Sequence, residues 1–292
     1  METMTDDRIE FDEPSQAILR DARKLLRRKE RKAAGEFLVE GRQAVREALR
    51  APGVVKWLFV QWSAARDNKD LVDLARAEGV PVYAVSEQNL GTLCDTVTPQ
   101  GLVAVARNVD VALGEVLHPE RERVVPDAEK KHRRRDVGLV VICAQIRDPG
   151  NAGTVIRCAD AMGADAVILS SDSVDVYNPK TVRSTVGSLF HLPIVIDVEV
   201  DDAIAACREA GMQVFATDAD AGTDLTDLDA ELERPTAWVM GNEAWGLPLE
   251  HLTLADKTVA VPIYGHAESL NLAAAAAICL YASASAQRAH EH

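Results

Sequence analysis

The sequence predicts an α/β protein in two parts: a small α/β unit, then a larger domain built on a largely parallel sheet. Three observations carry this. From residue 36 onward, short apolar runs of strand length alternate with segments of helical apolar spacing. Residues 108–136 lack sustained periodicity and separate two such series. In the latter half, apolar runs stop twice at turns that carry Gly or Pro together with polar groups, after Met240 and at Pro262. In parallel α/β sheets, the crevice beyond the carboxyl ends of the strands is where ligands sit.

Length and composition bound the reading. The chain has 292 residues, long enough for two ordinary domains, and 47% are hydrophobic. No strongly apolar run reaches the length of a membrane span, and the acidic first residues lack the apolar core of a secretory signal. Cys94, Cys143, Cys158, Cys207 and Cys279 are scattered, without a C-x-x-C pair. That usage suits reduced thiols in a cytoplasm, packed as small hydrophobes. The net charge of −14 argues against nucleic acid until its distribution is considered. Residues 20–32 and 130–135 hold 13 of the 32 Lys and Arg, among them Arg23, Arg27 and Arg28. The remainder carries 19 positive and 44 negative side chains. An acidic body with two concentrated basic stretches is the asymmetry expected of local phosphate contacts, or of a solvated helix face and a solvated linker.

In chain order, residues 15–33 read as a helix whose apolar side (Ile18, Ala22, Leu25, Leu26) is thin and interrupted by basic residues. We expect residues 1–35 to form a basic arm that buries little. Residues 36–107 read as the small α/β unit. It has strands at 37–40, 54–60, 82–85 and 102–106, a helix opened by Gly41, one at 71–77, and one begun by Ser86 as N-cap. Residues 108–136 read as a linker or surface insertion holding the basic run KKHRRR. Residues 137–292 form the second domain. A buried strand covers 138–143, a turn follows at Asp148-Pro-Gly-Asn151, and a helix runs to Met162 with Gly163 at its C-cap. Further strands fall at 166–169, 194–196 and 212–216, the last ending at Thr217, with helices after Pro179 and over 200–210. The strand ending at Met240 leads into a turn at Gly241, Asn242 and Glu243. A short strand at 258–261 breaks at Pro262, and a loop enters an Ala-rich helix near Ser269, its expected N-cap. The alternation predicts a sheet covered on both faces.

Several familiar sites are excluded. No complete G-x-G-x-x-G follows a strand, and Gly241 to Gly246 has phosphate-loop spacing without the Lys-Ser/Thr that such a loop needs. No Cys pair has zinc-ligand spacing, and no G-x-S-x-G elbow occurs, so no metal site is expected.

Three stretches remain: Asn151-Ala-Gly-Thr-Val-Ile-Arg157, Gly241-Asn-Glu-Ala-Trp-Gly-Leu247, and Val261-Pro-Ile263 with Glu268-Ser-Leu-Asn-Leu272. In this order they resemble the three motifs of the SpoU/TrmH branch of the SPOUT RNA methyltransferases. The resemblance implies a C-terminal domain tied in a trefoil knot. Residues 36–107 are similar to the small RNA-binding domain that precedes the knot in many members. Residues 37–41 and Pro99-Gln-Gly-Leu-Val103 carry that second similarity. The implied activity is 2′-O-methylation of RNA with S-adenosylmethionine, on ribosomal RNA or, alternatively, on tRNA or in ribosome-targeting antibiotic resistance. A noncatalytic RNA-binding or ribosome-assembly protein of the same fold is the alternative of another class. Members are typically homodimers. The Ala-rich helix has the small side chains for such packing, or for packing within one chain.

The resemblance places the cofactor at Thr217, Gly241, Asn242, Gly246, Val261, Ile263, Leu270 and Leu272. It makes Arg157 the residue that activates the 2′-hydroxyl. A guanidinium normally stays protonated, so gripping a phosphate and stabilising the developing alkoxide is the chemically safer role. Asn151 is placed at the helix start, where it caps or meets a phosphate. Glu243 orients Arg157, pairs with it, or accepts a proton through water. Ser269 and Asn271 bond to ligand or cap the helix. Arg147 and Arg183 are RNA contacts or solvated surface.

Overall fold

The computed structural model describes residues 11–96, 98–117 and 138–289, in two compact units divided after Asn108. The basic run at 130–135, and with it most of the expected linker, lies outside the described residues.

The first unit contains α1 (Gln16–Lys24), α2 (Arg28–Ala34), β1 (Glu36–Glu40), α3 (Arg42–Arg50), β2 (Val55–Gln61), α4 (Lys69–Ala77), β3 (Val82–Val85), α5 (Glu87–Gly91) and β4 (Leu102–Arg107). Its sheet has the order β1-β4-β2-β3, antiparallel except between β2 and β3. Ser86 caps α5 as expected, accepting from the Asn89 N–H. Gly41 and Gln100 come together: the Gln100 side chain accepts from the Arg42 N–H at 2.9 Å.

The expected basic arm is corrected here. Leu19 and Ala22 of α1, with Leu25 at its C-cap, sit in one buried cluster with Leu38, Phe59, Val85, Leu90, Leu93, Val103 and Val105. The apolar stripe is thin but sufficient, because Leu19, Ala22 and Leu25 are almost wholly buried and Ile18 and Leu26 pack against the same cluster. Arg23 is also turned inward: it donates to Thr92 Oγ1 at 2.6 Å and Asn89 Oδ1 at 3.1 Å, fastening α1 to the region of α5. Buried Arg31 donates to the Leu25 carbonyl. Of the three arginines of residues 20–32 expected to contact RNA, Arg27 and Arg28 stay exposed.

The second unit begins earlier than expected. Residues 109–117, assigned above to the linker, belong to it: α6 (Leu113–Leu117) places Val116 and Leu117 in the main core, and the Tyr177 hydroxyl accepts from the N–H groups of Val109 and Asp110. Then follow β5 (Leu139–Cys143), α7 (Pro149–Ala161), β6 (Ala166–Ser170), α8 (Pro179–Thr185), β7 (Ile194–Val198), α9 (Val200–Glu209), β8 (Gln213–Thr217), β9 (Thr236–Met240), α10 (Leu249–Leu254), β10 (Lys257–Val259) and α11 (Leu272–Arg288). The six strands are all parallel, in the order β10-β8-β9-β5-β6-β7. Strand order runs outward from β5 through β6 to β7, then returns on the other side of β5. The switch point lies between β5 and β9, so the loops leaving these two strands open at the same edge.

The Ala-rich helix α11 runs to Arg288. It packs on α7, β5 and β9, burying Ala273, Ala276, Cys279, Leu280, Ser283 and Ala284. Trp238 of β9 donates from its indole to Ser283 Oγ at 2.9 Å in the buried interior. The small residues thus serve packing within the chain, on one face. The opposite face exposes Ile278 and Tyr281. No helix among the described residues is long and apolar enough to cross a membrane.

Candidate active site

The loop from β5 to α7 is shaped by local chemistry. Gln145 takes a left-handed φ of 54°, and its carbonyl accepts from the Asn242 side chain at 2.7 Å. Asp148, followed by Pro149 at the first helical position, caps α7: its Oδ1 accepts from the Asn151 N–H at 2.8 Å. An Asp before Pro is a strong helix-start signature, because the carboxylate meets free N–H groups and the proline lacks one. Asn151 therefore does not cap the helix as expected. It is the third residue of the helix, in the first turn, and its side-chain amide reaches out to the other two loops.

The turn after β9 closes on itself. Asn242 N–H donates to the Gly246 carbonyl at 2.9 Å and Gly246 N–H to the Asn242 carbonyl at 3.0 Å. Asn242 Oδ1 also accepts from the Ala244 N–H at 2.8 Å. Gly241 is required by space: a Cβ there meets Gly246 C at 2.5 Å and Leu247 N at 2.7 Å. The closed turn holds Glu243 toward α7. Its Oε1 accepts from Asp148 N–H at 3.0 Å and Asn151 Nδ2 at 3.2 Å, and Oε2 from Arg147 N–H at 3.1 Å. Burial pushes the Glu243 carboxyl up, but the N–H groups of Asp148, Glu243 itself and Arg147, with the Asn151 amide, outweigh it and hold it below the usual range. A carboxylate so held is a poor proton acceptor. None of its hydrogen bonds goes to Arg157. Of the alternatives for Glu243, pairing with Arg157 is not the one formed; the carboxylate clamps the backbone at the start of α7.

The third loop, 260–271, reaches the same place. Asn271, not Ser269, caps α11: its Oδ1 accepts from Ala273 N–H at 2.9 Å and Ala274 N–H at 3.4 Å. Its Nδ2 donates to Asn151 Oδ1 at 3.0 Å. A short chain of side chains, Asn271 to Asn151 to Glu243, so joins all three motif loops. Ser269 lies two residues before the cap and is exposed, as are Ile263 and Leu270; Val261 and Leu272 are half-buried. From Val261 to Leu270 no backbone group bonds to another backbone group among the described residues. At the end of β8, Thr217 donates to the Val239 carbonyl at 3.2 Å, beside Met240 of β9.

The chain is similar to known proteins over most of its length. Residues 138–281 match the model of the SpoU rRNA Methylase family, and residues 17–104 that of the MRM3-like substrate binding domain. The 23S rRNA (guanosine(2553)-2'-O)-methyltransferase RlmP of Bacillus subtilis is 34% identical over 263 residues, covering 90% of this chain and 94% of that protein. The chain belongs to the SpoU rRNA methylase family. A second member, the 23S rRNA (uridine(2479)-2'-O)-methyltransferase of Streptomyces viridochromogenes, is 34% identical over 87% of this chain and 84% of its own length. The AdoMet-bound rRNA methyltransferase from Sinorhizobium meliloti superposes with a TM-score of 0.77 at 31% identity, covering 97% of this chain and 98% of that one. The second similarity begins at residue 17, in accord with α1 being part of the first unit's core.

Within this SpoU-family site, Arg157 lies on α7 six residues beyond Asn151, about 9 Å along the helix axis. It is exposed, with no side-chain partner among the described residues. Arg147 is exposed as well, though its backbone is fixed by Glu243. Arg183 is half-buried on α8. Gly153 brings α7 and α8 close: a Cβ there meets Ser184 Cβ at 2.5 Å and the Thr181 carbonyl at 2.6 Å. Sequence reasoning missed Asp148, Gln145 and Lys180, whose ammonium lies 3.4 Å from Asp148 Oδ2. The Asp-Pro pair was the available signal for Asp148. Gln145 and Lys180 carry no local signature, because their partners are distant in sequence.

Proposed function

We propose that this protein is an S-adenosylmethionine-dependent RNA 2′-O-ribose methyltransferase acting on ribosomal RNA. The observation that carries the reading is the Asn271–Asn151–Glu243 connection, which draws three separate loops together at the sheet's switch point. The named activities of the similar enzymes support ribosomal RNA over tRNA. Asn151, Arg157, Glu243, Ser269 and Asn271 are all present in the sequence, which disfavours a purely RNA-binding role.

The residues fit the cofactor. Segment 261–270 offers unpaired backbone donors and acceptors beside the apolar side chains of Val261, Ile263 and Leu270, a donor set suited to an adenine edge between apolar walls. Gly241, Asn242, Gly246, Leu272 and Thr217 are the further residues that the family resemblance assigns to the cofactor. When bound, S-adenosylmethionine supplies a methyl group already activated by its sulfonium. The chain's own task is then alignment and charge. Asn151 and Asn271 fix the relative positions of α7 and α11. Glu243 holds the start of α7, and so sets where Arg157 projects. Arg157 grips the phosphate beside the target ribose and stabilises the alkoxide as the 2′-hydroxyl loses its proton. Ser269 bonds to ligand, since capping is taken by Asn271. Arg147 and Arg183 contact RNA near the target, and Arg27 and Arg28 of the first unit contact it elsewhere.

Two further features belong to this reading. The segment carrying Asn271 is threaded as a trefoil knot, supported by its tie to Asn151 and by α11 lying on α7. The exposed face of α11, with Ile278 and Tyr281, meets a second copy in a homodimer working in the cytoplasm. Calorimetric titration with S-adenosylmethionine tests the reading: micromolar binding is expected, about −8 kcal/mol. No detectable binding would favour a noncatalytic RNA-binding protein.

A further inference from the structure

Lys180 stands at the edge of the site without a part in the scheme above. It occupies the second position of α8, and Asn178 caps that helix by accepting from its N–H at 2.9 Å. Its side chain crosses to α7. The ammonium lies 3.4 Å from Asp148 Oδ2, and a Cβ on Gly150 would stand 3.9 Å from Lys180 Cε. The lysine stem therefore lies over Gly150 of α7. Gly150 and Arg157 are seven residues apart, only about 20° from the same line along the helix. Between them Thr154 is exposed, its hydroxyl donating back to the Gly150 carbonyl at 2.7 Å. Lys180 and Arg157 thus lie along one open stripe of α7, two turns from end to end.

The hold on Lys180 is loose. A charge-assisted N–H···O bond is usually about 2.7–2.9 Å. This one is longer, and the two side chains are 55% and 47% exposed. Asp148 meanwhile keeps its other oxygen on the Asn151 N–H, so the helix cap does not depend on the lysine. An ammonium at the end of a flexible stem, paired weakly to a carboxylate with another duty, exchanges readily to a stronger anion.

We propose that Lys180 is a substrate-binding residue: on RNA binding its ammonium leaves Asp148 and takes a backbone phosphate adjacent to the one held by Arg157. This rests on the methyltransferase reading and on the phosphate role given there to Arg157. The two positively charged side chains then fix two consecutive phosphates along the α7 stripe, which sets the direction of the RNA strand across the site.

The test compares wild type with Lys180→Gln, Lys180→Arg and Asp148→Asn, measuring kcat and KM for ribosomal RNA across a salt series. Lys180→Gln should raise KM about ten-fold, the loss of one charge-assisted contact, and flatten the log–log salt dependence by about 0.7. Lys180→Arg should restore most of the affinity. Asp148→Asn preserves a good helix cap but frees the ammonium, so KM should stay at or below the wild-type value. Two results would overturn the assignment: an unchanged KM and salt slope in Lys180→Gln, or an Asp148→Asn variant whose KM rises as much as that of Lys180→Gln. The second would mean that the ion pair acts only structurally. A wild-type protein that transfers no methyl group to RNA removes the methyltransferase reading itself, and Lys180's role with it.

Discussion

Asn271 does two separable things, and two substitutions take them apart. Its Oδ1 caps α11 and its Nδ2 holds Asn151. Asn271→Ala removes both. Loss of an N-cap costs about 1 kcal/mol. The second bond joins exposed side chains and adds about 0.5 kcal/mol at the low end of hydrogen-bond contributions. A total near 1.5 kcal/mol corresponds to about a 4 °C fall in Tm for a unit of this size. Asn271→Asp retains the cap, and its negative charge suits a helix N-terminus, so most of that stability should return. It has no donor for Asn151 Oδ1, and it places a second carboxylate near Glu243. Methyl transfer should therefore remain depressed, by about ten-fold or more, in the variant that folds well. Thermal unfolding and single-turnover methyl transfer on the same preparations decide the matter. Full turnover by Asn271→Asp would refute the claim that the Asn271–Asn151–Glu243 connection aligns the site.

Other substitutions probe the remaining contacts. Gly241→Ala should destabilise the second unit by about 1–3 kcal/mol, because the added methyl meets backbone rather than a movable side chain; isothermal titration should also show weaker S-adenosylmethionine binding, and an unchanged affinity would place the cofactor elsewhere. Glu243 is a carboxyl with a lowered folded-state pKa, so its contribution is complete above the unfolded value of about 4.5 and is lost as pH falls through the folded value. Denaturant titrations should accordingly show a steeper loss of stability below that pH in wild type than in Glu243→Gln; parallel curves would contradict the clamp. Ser269→Ala should change stability by less than about 0.5 kcal/mol, since Asn271 caps α11, and a larger loss would restore Ser269 as the cap.

Much of the fold was legible because its signals are local. The strands of the second unit are continuous apolar runs such as residues 139–143, as expected when both sheet faces are covered. Ser86, Gly163 and Pro179 marked helix ends through the special chemistry of caps and turns. What was missed depended on tertiary packing. The four apolar residues read in 15–33 looked too few beside the eight basic ones of 20–32, yet the cluster of Leu38, Phe59 and Val105 takes in Ala22 and Leu25 together with Leu19, and Ile18 and Leu26 pack against it. Arg23 looked available for RNA until Thr92 and Asn89 proved to hold it. Within the candidate site, the three motif stretches do meet, but the bonds that join them were not legible. Glu243 serves backbone N–H groups 95 and 96 residues away, partners that sequence spacing does not reveal. Ser269 and Asn271 are both good caps by type, and only the geometry of α11 chooses between them.

The decisive measurement is to incubate the protein with labelled S-adenosylmethionine and ribosomal RNA, digest the RNA and identify the modified nucleoside by mass spectrometry. A single 2′-O-methylated nucleoside in ribosomal RNA, absent with Arg157→Ala, is the predicted result. Label on a base, or transfer that persists undiminished without the Arg157 guanidinium, would contradict it.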